Sequence, residues 1–127
     1  MDVLDTGPLY DEIGQLVARD IRLDPEGTFL YAEIEHGMIG SSIFKDVGAY
    51  VVYRDGSEEL VDKMYELWLA LDPDKRWATM SYTLSGGRFD ATFEFPDDIN
   101  PDELYSERRP RVLTAKYGDK RVDYSDP

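Results

Sequence analysis

Residues 88–95, RFDATFEF, alternate without a fault. Phe89, Ala91, Phe93 and Phe95 share one face; Arg88, Asp90, Thr92 and Glu94 share the other. Period two is the side-chain period of a β-strand. WATMSYTL lies just before it, separated only by Ser85-Gly86-Gly87, which predicts a tight hairpin. So short a link leaves no room for a crossover, and the two strands must run antiparallel. The same argument applies upstream. TFLYAEIE alternates, with Leu30, Ala32 and Ile34 on one face and Phe29, Tyr31, Glu33 and Glu35 on the other, which predicts a strand with one wet face. His36-Gly37 turns into MIGSSIF, and Asp46-Val47-Gly48 turns into AYVVYR, rich in β-branched and aromatic residues.

Helical periodicity brackets these strands. Leu9, Ile13, Leu16, Val17 and Ile21 predict an amphipathic helix over 8–21, with Thr6 as cap and Pro8 in its first turn. Asp24-Pro25-Glu26-Gly27 then turns the chain. Leu60, Val61, Met64, Leu67, Trp68 and Leu71 predict a second helix, capped by Asp55 or Ser57 and stopped at Asp72-Pro73-Asp74. Leu104, Tyr105, Val112, Leu113 and Tyr117 predict a looser third helix over about 101–117, broken or restarted at Pro110. The expected fold is therefore α+β, in the order α-β-β-β-α-β-β-α, with a largely antiparallel sheet and helices on one face. A chain of 127 residues with this pattern reads as a single domain over 1–127, with an ordered core at about 8–118 and a tail at 119–127.

Twenty-seven Asp and Glu against fourteen Lys and Arg give a net charge of −13, while 42% hydrophobic and 13% aromatic residues rule out an acidic disordered tail. Such a field attracts basic partners and repels nucleic acid and anionic membranes. The chain has no Cys, which removes disulfides and thiolate metal sites. The start, MDVLDTGPLY, has no signal-peptide pattern, and no apolar run approaches the ~20 residues of a bilayer span. A cytoplasmic protein without membrane contact is expected.

Catalytic patterns are not visible, and no enzyme activity is expected. The single His36 sits at a turn with no Ser or Cys placed for activation. Asp72-Pro73-Asp74 starts like a calcium loop, but Arg76 and Trp77 stand where a ligand and a glycine are needed. Asp97, Asp98, Asp102 and Glu103 cluster at a strand-to-helix junction. Three readings compete there: a cap for the third helix from Asp98 or Asn100, a hard-cation site that no ligand spacing supports, and a contact for a basic partner. Trp68, Trp77 and the Phe89–Phe95 stripe are expected in the core, where aromatics at regular spacing belong.

An ordered set of segments resembles the YezG-like family of bacterial antitoxin and immunity proteins. It comprises Leu9-Tyr10-Asp11-Glu12-Ile13-Gly14, Leu30-Tyr31-Ala32-Glu33, Tyr65-Glu66-Leu67-Trp68, the strand Trp77–Leu84, Gly87-Arg88-Phe89, Phe93-Glu94-Phe95, Tyr105 with Glu107-Arg108-Arg109, and Lys116-Tyr117-Gly118. The resemblance spans most of residues 9–118. The 36–56 segment is shorter than the family's, and the last aromatic strand is reduced. The resemblance implies a cytosolic, non-catalytic protein that needs no cofactor or metal. It would bind and neutralise a secreted toxin, commonly a nuclease.

The acid is unevenly spread: residues 1–104 hold 23 acidic and 8 basic side chains, whereas residues 105–121 hold 2 and 6. The body is therefore expected to face a basic toxin domain, and the segment with Arg108, Arg109, Arg111, Lys116, Lys120 and Arg121 to pair internally. Asp97, Asp98, Asp102 and Glu103 are the expected partner contacts, followed by Glu33 and Glu35 on the wet strand face. The alternative is a small-ligand or regulatory domain with an aromatic pocket lined by Trp77 and Phe89–Phe95.

Overall fold

The computed structural model describes residues 7–35, 38–100, 102, 103 and 105–125. The turn at His36-Gly37, the Thr6 cap, Leu104 and the side chain of Glu35 lie outside the described residues. The elements are α1 (Gly7–Ile21), β1 (Phe29–Glu35), β2 (Met38–Asp46), β3 (Val51–Asp55), α2 (Glu58–Ala70), β4 (Thr79–Ser85), β5 (Arg88–Glu94), α3 (Tyr105–Tyr117) and β6 (Val122–Asp123). The expected α+β order is present. The strands form one sheet in the order β5-β4-β1-β2-β3-β6, antiparallel throughout except where β6 runs parallel to β3.

The β4–β5 hairpin forms as the sequence predicts. Ser85 pairs with Arg88, and Gly86 and Gly87 between them have φ of 61° and 74°. Two successive left-handed residues match the twist of the flanking strands, and glycine adopts them without a Cβ clash. Ser57 caps α2, its Oγ accepting from Leu60 N at 3.2 Å. Asp55 instead ends β3, where its carboxylate accepts from the Tyr53 hydroxyl.

The sheet has two buried faces rather than one. On the first, Leu30, Ala32, Ile34, Ile43, Met80 and Tyr82 pack against Ile13, Val17 and Ile21 of α1 and Leu60, Met64 and Leu67 of α2. On the second, Phe29, Tyr31, Phe44 and Val51 pack against Leu113, with Val112 and Tyr117 of α3 alongside. Each large apolar side chain removed from water contributes about 1.5–3 kcal/mol, so α3 is a second structural layer and not an appendage. This corrects two expectations. The helices occupy both faces, and the side of β1 expected to be wet is covered at its described positions: Phe29, Tyr31 and Glu33 are 3%, 2% and 3% exposed. Alternation in β1 separates two different cores.

Three boundaries also move. Asn100 folds the chain before α3, its Oδ1 accepting from Asp102 N at 2.9 Å and its carbonyl from Glu103 N at 3.0 Å. Asp98 accepts from Phe95 N at 2.9 Å and closes the short turn Pro96–Asp98, so neither residue caps α3 directly. The helix runs through Pro110, which is exposed and lies near its start. There only the bond to the residue 106 carbonyl is lost, and buried Arg108 and Leu113 hold the flanking turns. The expected tail contributes β6, anchored by Val51 N donating to the Arg121 carbonyl at 2.8 Å.

Gly14 sits inside α1 against β4. A Cβ there would lie 2.6 Å from Tyr82 Oη, which donates to the Tyr10 carbonyl at 2.8 Å. Helix propensity favours Gly14→Ala by ~1 kcal/mol, but the overpacked contact opposes it by about 1–3 kcal/mol. The expected result is a lower urea midpoint at unchanged m-value. A higher midpoint would show that Tyr82 yields without loss.

Candidate functional site

The basic segment is absorbed by the fold. Arg108 Nη1 donates to Glu33 Oε2 at 2.7 Å, with side-chain exposures of 8% and 3%. Burial works against the charge of the Arg108 guanidinium, yet the Glu33 carboxylate outweighs it and holds the proton more tightly than in water. Arg111 clasps Glu103 through two hydrogen bonds, at 2.6 and 3.2 Å. Those bonds from Arg111 hold the Glu103 carboxyl below its ordinary range. Arg109 donates to Ser42 Oγ at 3.0 Å and lies against the Tyr53–Tyr124 pair, 5.7 and 5.6 Å from the ring centres. Lys116 sits 4.6 Å over Phe29, and Arg121 lies 4.8 Å over Tyr50. Lys120 bonds both oxygens of Asp46, at 3.0 and 2.9 Å, and holds that carboxyl below its ordinary titration range. Arg108, Arg111 and Lys120 thus pair with carboxylates, as the charge split predicts, whereas Arg109, Lys116 and Arg121 lie against aromatic rings instead.

The same geometry redistributes the expected contacts. Glu33 is buried under α3 and is no surface group. Glu103 is committed to Arg111, with Arg108 Nε 3.5 Å away. Asp98 holds a turn. Asp97 and Asp102 remain exposed beside it. The structure therefore does not gather the six residues into one surface. What misled the sequence argument was Glu33, whose place in a polar-looking alternation hides a buried partner 75 positions away.

The exposed acid that sequence periodicity did not single out lies on the helical layer. Glu12 on α1 and Glu59, Asp62 and Glu66 on α2 border a shallow groove, and Glu58 is exposed in the first turn of α2. Two cations stand among them. Lys63 bridges Glu12 and Glu66 at 2.6 and 3.4 Å, and Arg19 bridges Asp20 and Glu59, each at 2.9 Å. Glu58 and Asp62 meet no cation among the described residues. Beside this acid, Tyr65 and Leu69 are 38% and 49% exposed, and Tyr65 stacks on Trp68 with ring centres 6.2 Å apart. Signals for this surface were present in the sequence as polar positions between Leu60 and Leu71.

Trp77 is packed into the core at 2% exposure, as expected, and Phe93 packs against it. Phe89 is the outer member of the stripe, stacked on both Tyr10 and Tyr82 with ring centres 5.5 and 5.2 Å away. It lines an open cleft between α1 and the β4–β5 hairpin. No set of three or more His, Cys, Asp or Glu is placed to hold a metal among the described residues. No helix among them is long and apolar enough to cross a membrane. No protein-family model matches the chain, and a search of the curated proteins gives no match.

Removing one partner of a buried ion pair strands the other, which costs about 3–5 kcal/mol, whereas apolar replacement of both is often neutral. Arg108→Leu is expected to destabilise in that range, and adding Glu33→Leu is expected to restore most of the loss in denaturant titrations. A double variant as weak as the single one would remove the ion pair from the account.

Alkaline pH gives a second check. Burial pushes the Tyr31, Tyr82 and Tyr117 hydroxyls well above their ordinary range, and those of Tyr31 and Tyr117 lack a hydrogen-bond partner among the described residues. The folded state keeps them neutral while the unfolded chain ionises near pH ~10. Stability from these groups is thus complete below that pH and lost as pH rises above it. Tyrosinate absorbance should lag for these three and appear with unfolding. Ionisation of all nine tyrosines before unfolding would contradict the burial.

Proposed function

We propose that this chain is an immunity protein. It binds a basic toxin domain, foremost a nuclease, and blocks it stoichiometrically in the cytoplasm of the producing cell. The carrying observation is the internal use of every cation from Arg108 to Arg121. The outer face of α1 and α2 keeps five carboxylates, on Glu12, Glu58, Glu59, Asp62 and Glu66, against Arg19 and Lys63. That surface presents to a nuclease the sign of charge that its nucleic-acid substrate presents. Tyr65, Trp68 and Leu69 supply adjoining aromatic and aliphatic area of the type that anchors interfaces. Asp97 and Asp102 form a second acidic surface, at the β5–α3 connection. The ordered resemblance to immunity proteins supports the same reading, and the protein works without catalysis, cofactor or metal.

The test starts from the neighbouring genes: a basic toxin domain found encoded there is co-expressed with this chain, scored by growth, with affinity measured across a salt series. Glu59→Lys/Asp62→Lys/Glu66→Lys is expected to slow association by about tenfold or more at low salt and to flatten the salt dependence. Asp97→Lys/Asp102→Lys reports on the second surface. If reversal of both groups leaves affinity and salt dependence unchanged, occlusion by an acidic surface is wrong. Failure of the unaltered protein to rescue growth or to bind would sink the immunity assignment itself.

A further inference from the structure

Helix α1 is a ridge with a depression on each side. Toward α2 lies the shallow acidic groove, whose two cations are already paired. Toward the β4–β5 hairpin lies a second cleft of about 470 Å³, within the ~300–1,000 Å³ typical of binding clefts. Its apolar lining is Gly14, Ala18, Tyr82, Leu84 and Phe89. The Tyr10–Phe89–Tyr82 stack holds this wall in place, leaving Phe89 37% exposed. The bare Cα of Gly14 helps shape the cleft.

Three carboxylates line the same cleft, those of Asp11, Asp24 and Glu26, against the single guanidinium of Arg88, which makes no ion pair with them among the described residues. Two are fixed by the fold. Glu26 accepts from Gly86 N at 2.7 Å and Ser85 Oγ at 3.1 Å, tying the 24–27 turn to the hairpin tip. Asp24 accepts from Glu26 N at 3.1 Å. Asp11 has no ion-pair partner among the described residues and lies close enough to Tyr82 to discourage its ionisation.

Apolar walls with anionic groups around them suit a long alkyl stem that ends in a cation. An anion is repelled, and a neutral ligand leaves the carboxylates without a counter-charge. We propose that this cleft receives an arginine side chain from the protein partner. Tyr82, Leu84 and Phe89 cover its stem, and Asp11, Asp24 and Glu26 meet its guanidinium. Arginine is favoured over lysine because a planar, weakly hydrated guanidinium stacks on aromatic surface and bonds carboxylates in pairs. The proposal rests on the reading above that the partner is a basic protein, and gives that partner one anchoring contact.

The test is a titration of the full chain, followed by backbone amide NMR shifts, with the blocked tripeptide Gly-Arg-Gly. Its lysine and citrulline counterparts and spermidine are run in parallel. The expected result is saturable shifts at Gly14, Ala18, Leu84 and Phe89 with the arginine peptide, weaker with lysine and absent with the uncharged citrulline. Asp11→Asn/Asp24→Asn keeps the Asp24 turn acceptor and is expected to weaken binding about tenfold, with the rest of the spectrum unchanged. No saturable response at those amides, or an equal response in the double variant, overturns the site. Tighter binding of spermidine than of the arginine peptide overturns the protein source. Full toxin binding by Asp11→Asn/Asp24→Asn also overturns it, while leaving the immunity reading intact. If the peptide binds as expected but the unaltered chain neutralises no toxin, the immunity reading fails and the cleft stands as an arginine site.

Discussion

The pair between Glu33 and Arg108 ties the two halves of the molecule together. Glu33 stands in the central strand β1, where burial of an uncompensated carboxylate would be prohibitive. The guanidinium that compensates it comes from α3, so that helix must lie across the face opposite α1 and α2. Once it does, its apolar side falls on Phe29, Tyr31 and Phe44. Arg109 then reaches Ser42, Lys116 reaches Phe29 and Lys120 reaches Asp46. The net stability from such a pair is small, because desolvation offsets attraction. Its effect is orientation, and it fixes which way round the last layer is laid.

That orientation decides what the outside of the protein looks like. The chain carries an excess of acid, and its one basic stretch lies on the α3 side, where Arg108, Arg111 and Lys120 pair with carboxylates. Neutralisation therefore takes place on the α3 side of the sheet, while the helical layer on the other side keeps its carboxylates. An overall charge of −13 becomes a directional property. Fields of that kind act mainly on the rate and orientation of encounter, and close apolar or hydrogen-bonded contacts then set the lifetime of a complex. The exposed Tyr65 and Leu69 and the Phe89 cleft sit where such contacts are needed.

Much of this was legible in the residues. Period-two runs with short turns between them gave the antiparallel strands, and Gly86-Gly87 gave the hairpin. The apolar stripes from Leu9 to Ile21 and from Leu60 to Leu71 gave two helices. The inward role of the 105–121 segment was also legible, because a basic block in an acidic chain has nearby carboxylates to meet. The covering of β1 was not. Alternation of Phe29, Tyr31, Glu33 and Glu35 with Leu30, Ala32 and Ile34 is the same for a wet face and for a second core, and only a distant element tells them apart. Strand β6 was hidden because two residues have no period. The helical-layer acid was visible but unremarkable, since polar positions on an amphipathic helix are expected in any soluble domain.

The sheet order leaves β5 on one edge and the two-residue β6 on the other. An open strand is a template for pairing with another chain, and an exposed edge needs a defence against that. On β6 the defence is brevity. On β5 it is the polar half of the alternation that revealed the strand, with Arg88, Asp90 and Glu94 at the first, third and last of its seven residues. Those charged side chains project from the exposed edge, so the pattern that makes β5 easy to recognise is also the one that keeps its edge polar.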